Sequence, residues 1–337
     1  MIETIWFLII AVMLTGYAVL DGFDLGVGTL HLVIGRTTTE RSMLIDAIGP
    51  VWNGNEVWLL ALGGALFAAF PHVYAASFSG FYLPLMLVLW LLVLRGLGIE
   101  FRHQLENDLW RQAWDVAFSL ASLLLAVLFG VALANVLRGV PLDASGEFRG
   151  TFALLLNPFA LLGGCLSVTI LALHGAAWIA LKTEHGVQAR ARRAGPVLWV
   201  VTLVLLAATL AGSFVVRPDF TANYLRAPWL LLFPVIAVAA AGAVRFYQAR
   251  ADDRRAFLAV ASLIAGILTS VAAGAYPILL PSLDRTVHPG LDIYNAAAPA
   301  GSLVTALGVF VVGMALVVIY MVKVYRTWRG KVGATYH

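Results

Sequence analysis

Two acids one helical turn apart, Asp21 and Asp24, and a second polar pair, Asn53 and Glu56, lie in the apolar stretch between Gly16 and Trp58. Residues three apart share one face of a helix, so each pair can act as a unit. An ionisable side chain at membrane depth costs about 3 kcal/mol on insertion scales, which marks it as a functional candidate. Carboxylates in such a place can hold and pass protons. An amide such as Asn53 can order water but carries no proton near neutral pH. A plainer reading puts Asp21 and Asp24 at a span end facing water, and makes Trp52 and Trp58 part of an interfacial aromatic belt.

The elements that position these groups follow from composition. The 337 residues are 61% hydrophobic and 12% charged, with a mean hydropathy of +0.90, which excludes a pair of soluble domains and indicates a polytopic membrane protein. Apolar runs bounded by charge, Pro and Gly predict nine transmembrane helices in one integral membrane domain over 1–337. They lie near 5–33, 55–70, 76–94, 113–136, 155–181, 196–216, 227–244, 256–280 and 300–322. The amino terminus lacks the basic region and cleavage site of a signal peptide and is read as span one. The second span is the shortest and carries Gly63-Gly64. Of the 22 Lys and Arg, all but Arg138, Arg149, Arg217, Arg226 and Arg285 follow odd-numbered spans. The positive-inside rule then places the amino terminus outside and the carboxyl terminus in the cytoplasm.

At about 1.5 Å per residue, Asp21 and Asp24 fall roughly 24 to 29 Å from the outer end of span one, near the cytoplasmic side. Asn53 and Glu56 open span two on that side, Arg95 closes span three and Asp115 opens span four. The six are expected to form one polar cluster in which Arg95 pairs with the acids, since a guanidinium binds a carboxylate bidentately. Spans five to nine have no interior acid. Arg95 and Asp115 also have a simpler explanation as charges at span ends.

Other chemistry is sparse. His174 and His31 lie within spans, whereas His72, His103, His185, His288 and His337 fall in loops or ends. A buried histidine can ligate haem iron, but His174 has no facing partner that spacing identifies, and a packing or hydrogen-bonding role is the better expectation. The single Cys165 forms no internal disulfide. No zinc, nucleotide or c-type haem motif occurs. Asn157-Pro158 reads as a turn leading into a helix.

The run Gly16-Tyr-Ala-Val-Leu-Asp21-Gly-Phe-Asp24-Leu-Gly-Val-Gly28, then Gly49-Pro-Val-Trp52-Asn-Gly-Asn55-Glu-Val-Trp58 and Gly63-Gly-Ala-Leu-Phe-Ala-Ala-Phe-Pro71, resembles subunit II of cytochrome bd-type quinol oxidases. Leu94-Arg95-Gly, Phe101-Arg102, Trp110-Arg111, Trp114-Asp115, Leu156-Asn157-Pro158-Phe159 and Tyr276-Pro-Ile-Leu-Leu-Pro-Ser282 extend it. The resemblance implies an all-α subunit with two four-helix bundles and one peripheral helix in the bacterial inner membrane. It implies a partner, subunit I, that carries haem b, haem d and the quinol site, and a complex that oxidises quinol and reduces dioxygen to water. This chain would ligate no haem. A bound quinone, membrane lipids and a small single-span accessory subunit are further expected associates.

By position, the resemblance gives Asp24, Arg95 and Asp115, with Asp21, Trp52 and Trp58 beside them, a role in supporting the subunit interface and the haem environment. Asn53 stands where well-known members have an aspartate on a proton path, and Gln104 where they have a lysine near its entrance, whereas Glu100 keeps an acid there. Either a path here runs through Glu100 and water held by Asn53, with Glu56 as a further station, or protons enter mainly through subunit I. One place for such a departure is the cyanide-insensitive branch of the family. The competing class is a proton-coupled secondary transporter, in which intramembrane acids and glycine-broken helices are also normal.

Overall fold

The structure is a computed structural model that describes residues 1–332; His337 lies outside the described residues. Its helices in chain order are α1 (Ile2–Ile34), α2 (Thr38–Asp46), α3 (Trp52–Ala69), α4 (Pro71–Gly80), α5 (Tyr82–Phe101), α6 (Asp108–Arg138) and α7 (Phe152–Leu155). There follow α8 (Pro158–Lys182), α9 (His185–Val216), α10 (Ala222–Arg226), α11 (Leu232–Ala249), α12 (Asp253–Ala275) and α13 (Ala300–Thr327). A two-stranded antiparallel pair, β1 (Ile278–Leu280) and β2 (Leu291–Asp292), lies in the connection between α12 and α13.

Local chemistry sets the helix starts. Thr37 and Glu40 form a reciprocal capping box at α2, and the side chains of Asn107, Asn157 and Asp252 accept backbone N–H groups at the starts of α6, α8 and α12. Pro158 occupies the first turn of α8, where its missing N–H has no helical partner to lose.

Eight helical segments among the described residues are long and apolar enough to cross a membrane: α1, α5, α6, α8, α9, Pro228–Ala249, α12 and α13. The chain is thus a multi-pass helical membrane protein. The segment expected as the second span is α3, an 18-residue helix that is not among the eight. Its first turns carry Asn53, Asn55 and Glu56, which lower its apolar content. The run expected at 76–94 is broken at Phe81 (φ −96°, ψ 20°), so that α4 ends before α5 begins. The run expected to reach residue 280 stops being helical at Ala275.

Helix α1 is the central strut, packing on α3, α6, α8 and α12, while α8 also packs on α6 and α9. The closest approach is α1 against α8. A Cβ on Gly26 would lie 1.9 Å from the Leu171 carbonyl oxygen, and one on Gly175 would lie 2.2 Å from the carbonyl carbon of Gly26. Small residues permit such backbone contact where lipid gives apolar side chains no hydrophobic reason to associate. Around the carboxyl-terminal half of α1, Phe23, Val27, Leu30 and Ile34 pack with Leu44, Phe118, Trp178 and Ile179. This packing fixes the faces of α1 that bear the acids.

Candidate functional site

Asp21 and Asp24 sit on the buried half of α1 and are 0% exposed, as is Arg95 of α5. Arg95 spans the gap between the helices and grips Asp21 with two nitrogens: Nη1 donates to Oδ2 at 2.9 Å, and Nη2 donates to Oδ1. The arrangement is a bidentate fork, the strongest form of guanidinium–carboxylate pair. The expected pairing of Arg95 with an acid is present, with Asp21 as its partner.

Asp24 is held from α3. Asn55 Nδ2 donates to Asp24 Oδ2 at 2.7 Å and to the Leu20 carbonyl at 3.0 Å, while Tyr325 of α13 donates its hydroxyl to Asn55 Oδ1 at 3.0 Å. One amide therefore ties three helices. The Trp58 ring lies on Gly16, where a Cβ would be 2.5 Å from it, and the Trp52 ring reaches Gly96 of α5. Both indoles are inter-helix packing groups. Glu56 is half-buried, and its Oε2, like Asp24 Oδ1, is a buried oxygen with no hydrogen-bond partner.

Asp115 belongs to a separate cluster, so the six expected residues do not form one group. Its Oδ1 accepts Arg102 Nε at 2.6 Å and meets His31 Nε2 at 2.7 Å, and its Oδ2 accepts Arg41 Nη1 at 3.4 Å. Arg102 continues to Ser42 Oγ at 2.7 Å and to the Thr38 carbonyl at 3.1 Å. A single buried carboxylate thereby pins α1, α2, α5 and α6 together. Just outside the membrane-spanning helices, Glu40 of α2 pairs with Arg190 at 2.6 Å. Partial burial raises the Glu40 carboxyl, but hydrogen bonds from Arg190 and from the backbone N–H groups of Arg36 and Thr37 outweigh it and hold Glu40 below the usual carboxylate range.

Asn53, Glu100 and Gln104 are exposed and make none of the contacts of these two clusters. Asn53 and Asn55 are 200° apart around α3, so turning Asn55 inward turns Asn53 outward. Sequence reasoning missed Asn55, Arg102, His31 and Tyr325. A usable signal was the series Gly16, Leu20 and Asp24 at four-residue intervals, which makes one face of α1 that Asn55 and Trp58 can meet together.

Both buried histidines are engaged. His174 Nε2 meets the Val19 carbonyl at 2.9 Å, and its ring stacks on Phe257 at 4.8 Å with Phe23 at its edge. His31 is occupied by Asp115 and packed edge-on against Phe118. Among the described residues these contacts occupy one nitrogen and the faces or edges of each ring.

A family model described as cytochrome bd terminal oxidase subunit II matches residues 2–328. The chain belongs to that family. The Haemophilus influenzae protein named probable cytochrome oxidase subunit 2 is 35% identical, covering 98% of this chain and 95% of its own length. Cytochrome bd-I ubiquinol oxidase subunit 2 of Escherichia coli K12 is 35% identical over 97% of this chain and 94% of its own. The bd oxidase structure from Geobacillus thermodenitrificans superposes with a TM-score of 0.80, covering 97% of this chain and 98% of that one at 18% identity, and shows the shared fold. As a cytochrome bd subunit II, the chain is a multi-pass membrane component of a terminal oxidase, in an oxidoreductase family.

Proposed function

We propose that this chain is the non-haem-ligating subunit II of a complex that oxidises quinol and reduces dioxygen to water. The observation that carries this reading is the family match over nearly the whole chain. Its partner is a polytopic subunit I that holds haem b and haem d, which supply electron transfer and oxygen reduction. This chain's own contribution is mechanical and electrostatic. The Arg95–Asp21 fork and the Asn55–Asp24 bond lock α1, α3 and α5 together, Asp115 locks α2 and α6 to them, and Trp52 and Trp58 fill the seams. The assembly forms a stiff wall against which the partner's haem sites can be ordered.

In this reading the chain is a single integral membrane domain, and α3 crosses as a ninth span. The two four-helix bundles and peripheral helix then follow, as do an outer amino terminus and a cytoplasmic carboxyl terminus. The basic residues that follow the odd-numbered spans support this orientation. Protons enter from the cytoplasm past Glu100 and Gln104, along water ordered by Asn53, to Glu56. The exposure of Asn53, Glu100 and Gln104 suits an entrance that water reaches. A quinone tail, lipids and a single-span accessory subunit fit the exposed apolar faces.

The test is quinol-driven oxygen consumption by membranes of a strain lacking this chain, with and without its restoration. Restoration by the wild type is expected to return the activity, and failure to do so counts against the reading. Asn53→Leu together with Glu100→Gln is expected to slow turnover, and unchanged rates in both would exclude this entrance.

A further inference from the structure

Around the α1–α3 seam the charges do not balance. Asp21, Asp24 and Glu56 bring three carboxyl groups, and the groups facing them from neighbouring elements are Tyr17 on α1, Asn55 on α3, Arg95 on α5 and Tyr325 on α13. Among the described residues facing them only Arg95 carries a positive charge; its two terminal nitrogens go to Asp21, and its Nε is buried without a partner. Asp24 and Glu56 share the field of that one guanidinium but form no ion pair with it, and each leaves a buried oxygen unpartnered: Oδ1 of a fully buried Asp24 and Oε2 of Glu56. An unpaired carboxylate is costly in such surroundings, and a group in that position takes up a proton instead.

The two carboxyl groups lie within electrostatic reach of each other across the α1–α3 seam. Asn55 binds Asp24 directly, and Glu56 is the next residue on the same helix turn, within electrostatic reach of Arg95 and Asp21. The Tyr17 hydroxyl lies beside Asp21 without completing a hydrogen bond, a further polar group on the same seam. Glu56 is only half-buried, so it meets the outside, whereas Asp24 is sealed.

We propose that Asp24 and Glu56 form a binding site for an exchangeable proton, with Glu56 as its port and Asp24 as its buried holder. A hydronium ion on the Glu56 side gives its proton to the Glu56 carboxylate, neutralising it, and leaves as water. Transfer to Asp24 Oδ1 restores the Glu56 anion and leaves Asp24 as the neutral acid, so charge and atoms balance at each step. The site extends the proton-uptake reading of this subunit and rests on it only for a role in turnover; the occupancy of the site is measurable without turnover.

The experiment is infrared spectroscopy of the purified complex in H₂O and D₂O across neutral pH, with sodium varied separately at constant pH. A carboxylic acid C=O band that shifts in D₂O and titrates with pH is expected. Glu56→Gln is expected to slow the exchange of this band after transfer to D₂O, and Asp24→Asn to remove the band. A wild-type spectrum with no such band, or a band unchanged in both variants, overturns the proposal. A signal that follows sodium and not pH also overturns it, by making the site an alkali-ion site. If Asp24→Asn fails to accumulate, Glu56→Gln decides alone, and an unaltered exchange rate refutes the role of Glu56. Full oxidase activity in a variant that has lost the band would instead count against the turnover reading.

Discussion

Replacing Arg95 with Leu removes both nitrogens that hold Asp21 and leaves a carboxylate in a site where both side chains are fully buried. Solvent cannot screen the loss there. Breaking a buried pair by removing one partner costs about 3–5 kcal/mol, which lowers the folded-to-unfolded ratio roughly 100- to 4,000-fold. The penalty comes mainly from the stranded Asp21 charge and less from the lost attraction. Removing both partners is therefore the informative control: Arg95→Leu with Asp21→Leu is expected to recover more than half of the loss, since an apolar pair can replace a buried ion pair with little net cost. The assay is reversible unfolding in mixed micelles followed by tryptophan fluorescence, with the wild type and both single variants in parallel. A single variant that costs less than about 1 kcal/mol, or a double variant as unstable as Arg95→Leu, would refute the reasoning.

Arg102→Met should release α2 from α6, because the side chain joins Asp115, Ser42 and Thr38; faster proteolysis between residues 35 and 51 is the expected readout. Gly26→Ala should cost about 1–3 kcal/mol or prevent accumulation, as its methyl would meet the Leu171 carbonyl at 1.9 Å, whereas Gly63→Ala, with nothing within 4 Å, should be neutral or slightly stabilising in the same unfolding assay. In the connection after α6, hydrogen bonds from the Ser145 hydroxyl, Arg149 and the Glu147 N–H hold the Asp143 carboxyl well below its usual range. A carboxyl depressed in the folded state stabilises its turn above the unfolded value of about 3.9 and loses that contribution as pH falls through the folded value. Protection of the Gly146 and Arg149 amides, taken relative to the intrinsic exchange rate at each pH, should stay constant from neutral pH down to about that value and fall only below it. Asp143→Asn should show the lower protection already at neutral pH.

The helices and the family were legible because lipid imposes long apolar runs and because the motifs around Asp21, Trp52 and Arg95 are dense. Finer placement was less so, for reasons visible at single residues. Spacing alone paired Asn53 with Glu56, yet α1 offers Gly16, Leu20 and Asp24 on one face, and that face takes Asn55 and Trp58 instead. Helical rotation then leaves Asn53 outside. Depth counting put Asp115 beside Asp21, but the groups that hold it lie two to three turns further along the same helices: His31 is ten residues beyond Asp21 on α1 and Arg102 seven beyond Arg95 at the end of α5, about 10–15 Å away. The break at Phe81 follows Gly80, but its apolar flanks read as one continuous span.

The proposal that this chain is a supporting subunit of a haem-bearing oxidase is open to a direct measurement: purify the full-length chain through an affinity tag and record the absorption spectrum of whatever copurifies. A coloured preparation with haem b and haem d bands and a second polytopic polypeptide in equal amount is expected. A colourless preparation with no partner band would contradict it.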